Sequence, residues 1–251
     1  MLIDERHQKI LLLVNKEKYI SVKKLLNSLY ISEATIRRDL SFLEHKGLLT
    51  RTRGGAMTIE SSTSEKSALL REQLLITEKR LIAQKALPFF KDGQSCFIDP
   101  STTVSQLIPL LSSYKNITVI SNGVSNALLF SAINQHVILL GGYVSAKTNS
   151  TLGSSTINEI ENFHCDLFVF SCSALSLENG LTEINMEQSI AKQKMLKHSN
   201  LNILLADHTK FNQTFTARTC GLNEIDVIIT DQKPSQSYLN YFEQYHVKCL
   251  Y

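Results

Sequence analysis

Apolar residues recur at helical spacing near the start of the chain and in short continuous runs further on, and this change of pattern sets out its organisation. Residues 4–17, DERHQKILLLVNKE, place Ile10, Leu13 and Val14 on one face behind an acidic first turn, which predicts a helix. Ser21 precedes a second amphipathic stretch carrying Val22, Leu25, Leu26 and Leu29. Ser32 stands as the N-cap of a third helix, EATIRRDLSFLEHK, which stops at Gly47, where a left-handed C-cap favours glycine. The segment 48–56, LLTRTRGGA, alternates and closes on Gly54-Gly55, predicting a two-stranded wing.

Residues 57–67, MTIESSTSEKS, have no apolar period and are rich in Ser and Thr, which reads as a linker. An amphipathic helical pattern runs from about Leu69 to Phe90. Beyond Gly93 come the apolar runs CFID at 96–99, ITVIS at 117–121, HVILL at 136–140, DLFVFS at 166–171, NILLA at 202–206 and DVIIT at 226–230. Apolar strands alternating with helical stretches predict a parallel sheet covered on both faces. The expected class is α/β, with a winged helix-turn-helix over 1–56, a linker over 57–67 and a Rossmann-like parallel α/β domain over 68–251.

Charge separates the two parts further. Residues 1–57 hold 11 Lys and Arg against 6 Asp and Glu, a net +5, and the remainder holds 15 against 17, a net −2. A local excess of cations points to a polyanion partner for the first part, or else to an ordinary solvated surface. On the third helix Ile36, Leu40 and Leu43 form the apolar stripe, while Ala34, Arg38, Ser41 and His45 lie opposite, flanked by Arg37 and Thr35. Arginine reads guanine or clamps phosphate, Ser32 and Thr35 donate to phosphate, and Ala34 meets a thymine methyl. Arg51 and Arg53 belong to the wing, which lies along backbone or minor groove. Asp39 breaks the basic face and is read as a partner within the helix, or at its cap, for a neighbouring arginine.

The five cysteines are odd in number and widely spaced without a Cys-x-x-Cys pair, so no disulfide framework or zinc site is signalled and a reducing cytoplasm fits. The run Ile10 to Val14 is too short for a membrane span. No cofactor is expected, since neither Gly-x-Gly-x-x-Gly nor a Walker A sequence is present.

Polar residues follow each predicted strand, and in open α/β sheets ligands bind at that edge. Ser101, Thr102 and Thr103 open the segment after the first strand, with hydroxyls and amides suited to a phosphate or simply to capping. Asp207 and Lys210 supply a carboxylate and an ammonium for a sugar hydroxyl and an anion, or form a surface salt bridge.

The stretches RHQKIL at 6–11, ISEATIRRDLSFLEHKGLLTR at 31–51 and GGA at 54–56 resemble the N-terminal domain of the DeoR family of bacterial regulators. DPSTT, ISNG, LLGG, TLGSS and LLADHTKF resemble its effector domain, and Glu78-Lys79 with Ile82 and Ala83 resembles the helix entering it. The resemblance implies a fold similar to ribose-5-phosphate isomerase and coenzyme A transferases, and a pocket of Asp99, Ser101, Thr102, Thr103, Asn122, Gly142, Asp207 and Lys210. Glu187 and Lys192 or Lys194 are weaker candidates. The family's usual glycine is replaced by Ser101, and Ser171 to Asn179 lacks the expected glycine-containing turn, with Cys172 placed to narrow the pocket. The implied function is a cytoplasmic transcriptional regulator, a repressor of a sugar-utilisation operon. It acts as a dimer or tetramer on operator DNA and responds to a phosphorylated sugar. The alternatives are a sugar-phosphate isomerase with a DNA-binding appendage, or a constitutive DNA binder whose second domain serves assembly.

Overall fold

A computed structural model of the protein describes residues 3–58, 68–133 and 135–251. The chain divides into two compact units, residues 1–74 and 75–251. Most of the expected linker, from residue 59 on, lies outside the described residues.

In the first unit, helices α1 (Ile3–Glu17), α2 (Val22–Leu29) and α3 (Glu33–His45) pack around Ile10, Leu11, Leu25, Ile36, Leu40 and Leu43, all 1% exposed or less. Ser21 and Ser32 cap α2 and α3 through backbone N–H groups three residues on. Gly47 has φ 67°, and the bonds Gly47 N–H to Glu44 O (2.8 Å) and Leu48 N–H to Leu43 O (2.9 Å) close α3. The expected two-stranded wing has a third strand. β1 (Tyr19–Ser21) pairs with β3 (Gly55–Met57), which also pairs with β2 (Thr50–Thr52). Gly55 is required by that extra pairing, because a Cβ there would lie 2.1 Å from the Ile20 carbonyl.

The amphipathic stretch from Leu69 to Phe90 is not one helix. α4 (Ala68–Gln73) and α5 (Ile76–Ala86) are separated at Leu75, whose φ of 54° is left-handed. Residues 68–74, expected to open the second domain, pack instead with the first, since Leu70 is buried in its core and Leu74 lies against it.

The second unit is built on a seven-stranded parallel sheet. Its strands are β4 (Ser95–Ile98), β5 (Thr118–Ser121), β6 (His136–Leu139), β9 (Cys165–Phe170), β12 (Ser199–Leu205), β14 (Val227–Ile229) and β15 (Lys248–Leu250). They lie in the order β6-β5-β4-β9-β12-β14-β15. Successive residues alternate between two cores. Leu167 and Val169 of β9 face α5, the 3-10 helix Val104–Ser113 and Phe130, while Phe168 and Phe170 face α8 (Met186–Lys197) and α9 (Gln236–Gln244). α6 (Val124–Ala132) covers the β5–β6 edge. A hairpin of β7 (Tyr143–Ser145) and β8 (Ser150–Leu152), helix α7 (Ser154–Ile160), and a small sheet of β10 (Ala174–Ser176), β11 (Gly180–Glu183) and β13 (Ala217–Cys220) complete the unit. The chain steps outward from β4 through β5 to β6 and then returns to the other side of β4 with β9. The topological switch therefore falls between β4 and β9, where open α/β sheets place their ligands.

Candidate DNA-reading surface and sensor crevice

The stripe of Ile36, Leu40 and Leu43 fixes which face of α3 is turned out. Ser32, Ala34, Arg37, Arg38, Arg51 and Arg53 are exposed and Thr35 is half-buried. Ser32 and Thr35 are bonded to each other at 2.9 Å, so of their two hydroxyl protons one stays available. Arg37 is held one turn along by Glu33 (Nε to Oε1, 2.8 Å). Arg38 and Arg53 have no ion pair among the described residues, and Arg53 sits in the wing turn. Arg51 ties the wing to α3, its guanidinium donating to Ser41 and its backbone N–H to Glu44 Oε1 at 2.9 Å. Helix and wing are thereby set as one cationic surface.

Asp39 is not a partner within α3. Its carboxylate is 3% exposed and accepts from Arg6 Nε (2.5 Å), Arg6 Nη2 (3.0 Å) and His7 Nε2 (3.2 Å) on α1. His7 also stacks on Phe42 with ring centres 4.9 Å apart. Burial alone raises the carboxyl pKa, but the bonds from Arg6 and His7 outweigh it and hold Asp39 below its ordinary value. This clamp sets α3 on α1. A partner 33 residues away leaves no periodic signal in the sequence.

At the switch point Asp99 is the organising group. It is 1% exposed, and its Oδ1 accepts Ser101 N–H (3.0 Å) while Oδ2 accepts Ser171 N–H (3.1 Å) and lies 3.3 Å from Lys192 Nζ. Asp99 therefore joins the loops after β4 and β9. Ser101 Oγ accepts Val104 N–H at 3.2 Å as a cap, and Lys79 on α5, 4% exposed, donates to Thr102 Oγ1 at 2.9 Å. The backbone N–H groups of Thr102 and Thr103 have no acceptor among the described residues. Asn126 of α6 donates to Asp99 O at 2.9 Å and braces the same loop.

The other expected residues lie around this centre in different roles. Asn122 is buried and binds the Thr151 backbone, holding β8. Gly142, with φ 139°, follows the edge strand and packs its backbone so closely that a Cβ would lie 2.3 Å from Thr156 Oγ1 and 2.4 Å from Leu152 O. Its place is a tight backbone crossing next to the edge strand. Asp207 is 1% exposed and accepts Thr209 N–H at 3.0 Å through Oδ1, leaving Oδ2 without a donor among the described residues. It makes no ion pair with Lys210, so the salt-bridge reading does not hold.

Of the two lysines left open on α8, Lys192 turns inward and Lys194 pairs with Glu161 on the outside. Lys192 bonds Ser171 O at 2.6 Å and Glu183, whose other oxygen accepts Ser173 Oγ at 2.5 Å. Burial opposes the Lys192 charge, but Glu183 and then Asp99 outweigh it and raise its pKa. Cys172 lies among Glu183, Lys192, Lys210 and Asp207, its thiol pKa pushed up by burial first and Glu183 second. Glu183 and Lys79 were not among the residues expected to line this site. Glu187 instead accepts a hydrogen bond from the Tyr143 hydroxyl.

A cationic helix and wing ahead of a parallel α/β unit with a buried polar cluster at its switch point define a DNA-binding regulator with a sensor-type domain. Residues 6–62 match the DeoR-like helix-turn-helix domain and residues 75–232 the DeoR C-terminal sensor domain, and the chain belongs to the DeoR family of transcriptional regulators. It is 34% identical to the HTH-type transcriptional regulator GolR of Listeria innocua over 95% of this chain and 94% of that one. It is 28% identical to the glycerol-3-phosphate regulon repressor of Haemophilus influenzae over 98% and 95%. A solved structure of ribose 5-phosphate isomerase A from Neisseria gonorrhoeae aligns with 56% of this chain and 54% of that one, at 16% identity and TM-score 0.39. The family consists of regulators, and the chain is a regulator rather than an enzyme, which sets aside the isomerase alternative. No helix among the described residues is long and apolar enough to cross a membrane.

Proposed function

We propose that the protein is a cytoplasmic repressor of a sugar-utilisation operon that binds paired operator half-sites as a dimer or tetramer and is released by a phosphorylated sugar or related metabolite. DNA is read by Ala34, Arg37 and Arg38 on α3, with Ser32, Thr35, Arg51 and Arg53 on phosphates. The observation that carries the sensor half is the pair of unaccepted N–H groups at Thr102 and Thr103 beside the Lys79 ammonium. Two donors and a cation converging at a helix start favour a phosphate. The sugar hydroxyls then meet Asp207 Oδ2 and Lys210 across the switch point. The name of the Haemophilus relative, a glycerol-3-phosphate regulon repressor, agrees with that ligand class.

Ser101, Thr102 and Thr103 are 8% exposed or less, so ligand entry requires the loop after β4 to move. That movement supplies the difference in effector affinity between the two states, and a coupling of about 1 to 3 kcal/mol changes DNA affinity roughly 5- to 150-fold. The test is binding to the DNA upstream of the protein's own gene, titrated with a panel of phosphorylated sugars at fixed salt. One compound releasing the complex supports the reading. DNA binding that no compound changes refutes the sensor assignment and leaves the second domain an assembly module.

A further inference from the structure

Between Lys115 and Lys147 the sequence contains no Asp, Glu, Lys or Arg, although charged residues make up 20% of the chain. In the fold Ile117, Val119, Ile120, Phe130 and Leu140 of this segment are buried, but several of its apolar side chains are not. The segment includes β5, α6, the edge strand β6 and β7, at one side of the sheet. Leu128 and Leu129 on α6, Leu139 on β6, and Tyr143 and Val144 on β7 are 43% to 68% exposed. Carboxylates from other elements border the patch, Glu159 accepting Gly141 N–H and Glu187 the Tyr143 hydroxyl, while the segment's own exposed side chains are aliphatic and aromatic, as in an interface core with a polar rim.

The backbone carries the same message. His136 and Leu140 donate to Ile117 and Ser121 on the β5 side, so strand alternation turns the N–H and C=O of Val137 and Leu139 outward, with no strand beside them among the described residues. Unshielded edge strands pair with other strands unless a charge, proline or bulge prevents it. The opposite edge, β15, has such a device in Lys248. β6, His-Val-Ile-Leu, has none.

We propose that β6 and α6 form the subunit interface, with the β6 strands of two copies pairing antiparallel about a two-fold axis into one continuous sheet. A second copy is the fitting occupant because the same edge of two molecules, related by a two-fold, presents matching donors and acceptors. The five exposed side chains offer on the order of 500 Å² per subunit, against roughly 800 Å² in a standard interface, and the paired strand backbones add to it. The inference rests on the paired-half-site reading above, which requires a symmetric assembly.

Sedimentation equilibrium of the full chain tests it. The wild type is expected at twice 28.3 kDa or more, and Leu128→Lys/Leu139→Lys at half the wild-type mass with an unchanged melting curve. Lys248→Glu, at the other edge, keeps the wild-type mass. Should the double lysine variant not fold, Leu129→Ser/Val144→Ser decides, with the expected outcome a dissociation constant raised at least tenfold. A monomeric wild type, or folded variants of unchanged mass, overturns the proposal. Binding of the dissociated variant to a single half-site separates the two readings. Retained half-site affinity with lost full-site affinity supports both, whereas no half-site binding by wild type or variant means that the DNA reading has failed whatever the mass.

Discussion

Replacing Asp39 with alanine strands the Arg6 guanidinium in the N-terminal core. The carboxylate accepts three hydrogen bonds from Arg6 and His7, and all three side chains are 9% exposed or less. Removing one member of a buried, hydrogen-bonded ion pair costs about 3 to 5 kcal/mol, because the partner charge stays desolvated. That is comparable to the whole stability of a unit of this size. Asp39→Ala should therefore unfold or nearly unfold the first unit while the seven-stranded sheet stays intact. Hydrogen exchange on the full chain separates the two. Amides of α1 and α3 lose protection, those of β4, β9 and β12 keep theirs, and operator binding is lost. Double replacement of Arg6 and Asp39 by methionine and leucine should recover most of the protection but not the helix orientation needed for DNA. A loss below about 1 kcal/mol in Asp39→Ala would refute the clamp as the element that sets α3.

The same carboxylate gives a pH dependence: its folded-state pKa is depressed, so its contribution is full at neutral pH and is lost as pH falls below about 4, the ordinary Asp range. Exchange in α1 measured from pH 5 down should show this in the wild type and not in Asp39→Asn. Lys192→Met leaves Glu183 and Asp99 facing each other in the crevice and should destabilise the second unit by about 3 to 5 kcal/mol in urea unfolding, with Lys192→Met/Glu183→Leu recovering most of it. Arg38→Ala should cost about 1 to 3 kcal/mol on the specific operator, whereas Arg53→Ala should weaken binding to all sequences and lower the salt slope by about one. Gly55→Ala, with its Cβ 2.1 Å from Ile20 O, should displace β1 and cost about 1 to 3 kcal/mol in thermal unfolding.

What the sequence reveals follows from how local each signal is. The six apolar runs between 96 and 230 each become a strand of the sheet, because burial on both faces leaves a continuous apolar signature. β15 carries no such signature, since Lys248-Cys249-Leu250 is short and opens on a charge. β1 leaves no signal because three residues between helices show no alternation. The break at Leu75 has no Gly or Pro to announce it, and the amphipathic pattern runs on through a residue held left-handed. In the crevice, residues after strand ends were legible as a group, but Lys192 and Glu183 were not legible as a buried pair. Charged side chains default to the surface, and only the fold brings α8 and β11 over β9. Asp99 was legible as a site residue, while its two bonds to the neighbouring loops required the three-dimensional arrangement.

The central claim is that an anion bound at the Thr102–Thr103 loop controls DNA binding by α3 and the wing. Operator affinity, measured by fluorescence anisotropy at fixed salt with and without the releasing compound, tests it in the wild type and in Lys79→Met. The expected result is a roughly 5- to 150-fold weakening in the wild type and little or none in the variant, with compound-free operator affinity unchanged. An undiminished response in Lys79→Met would contradict it.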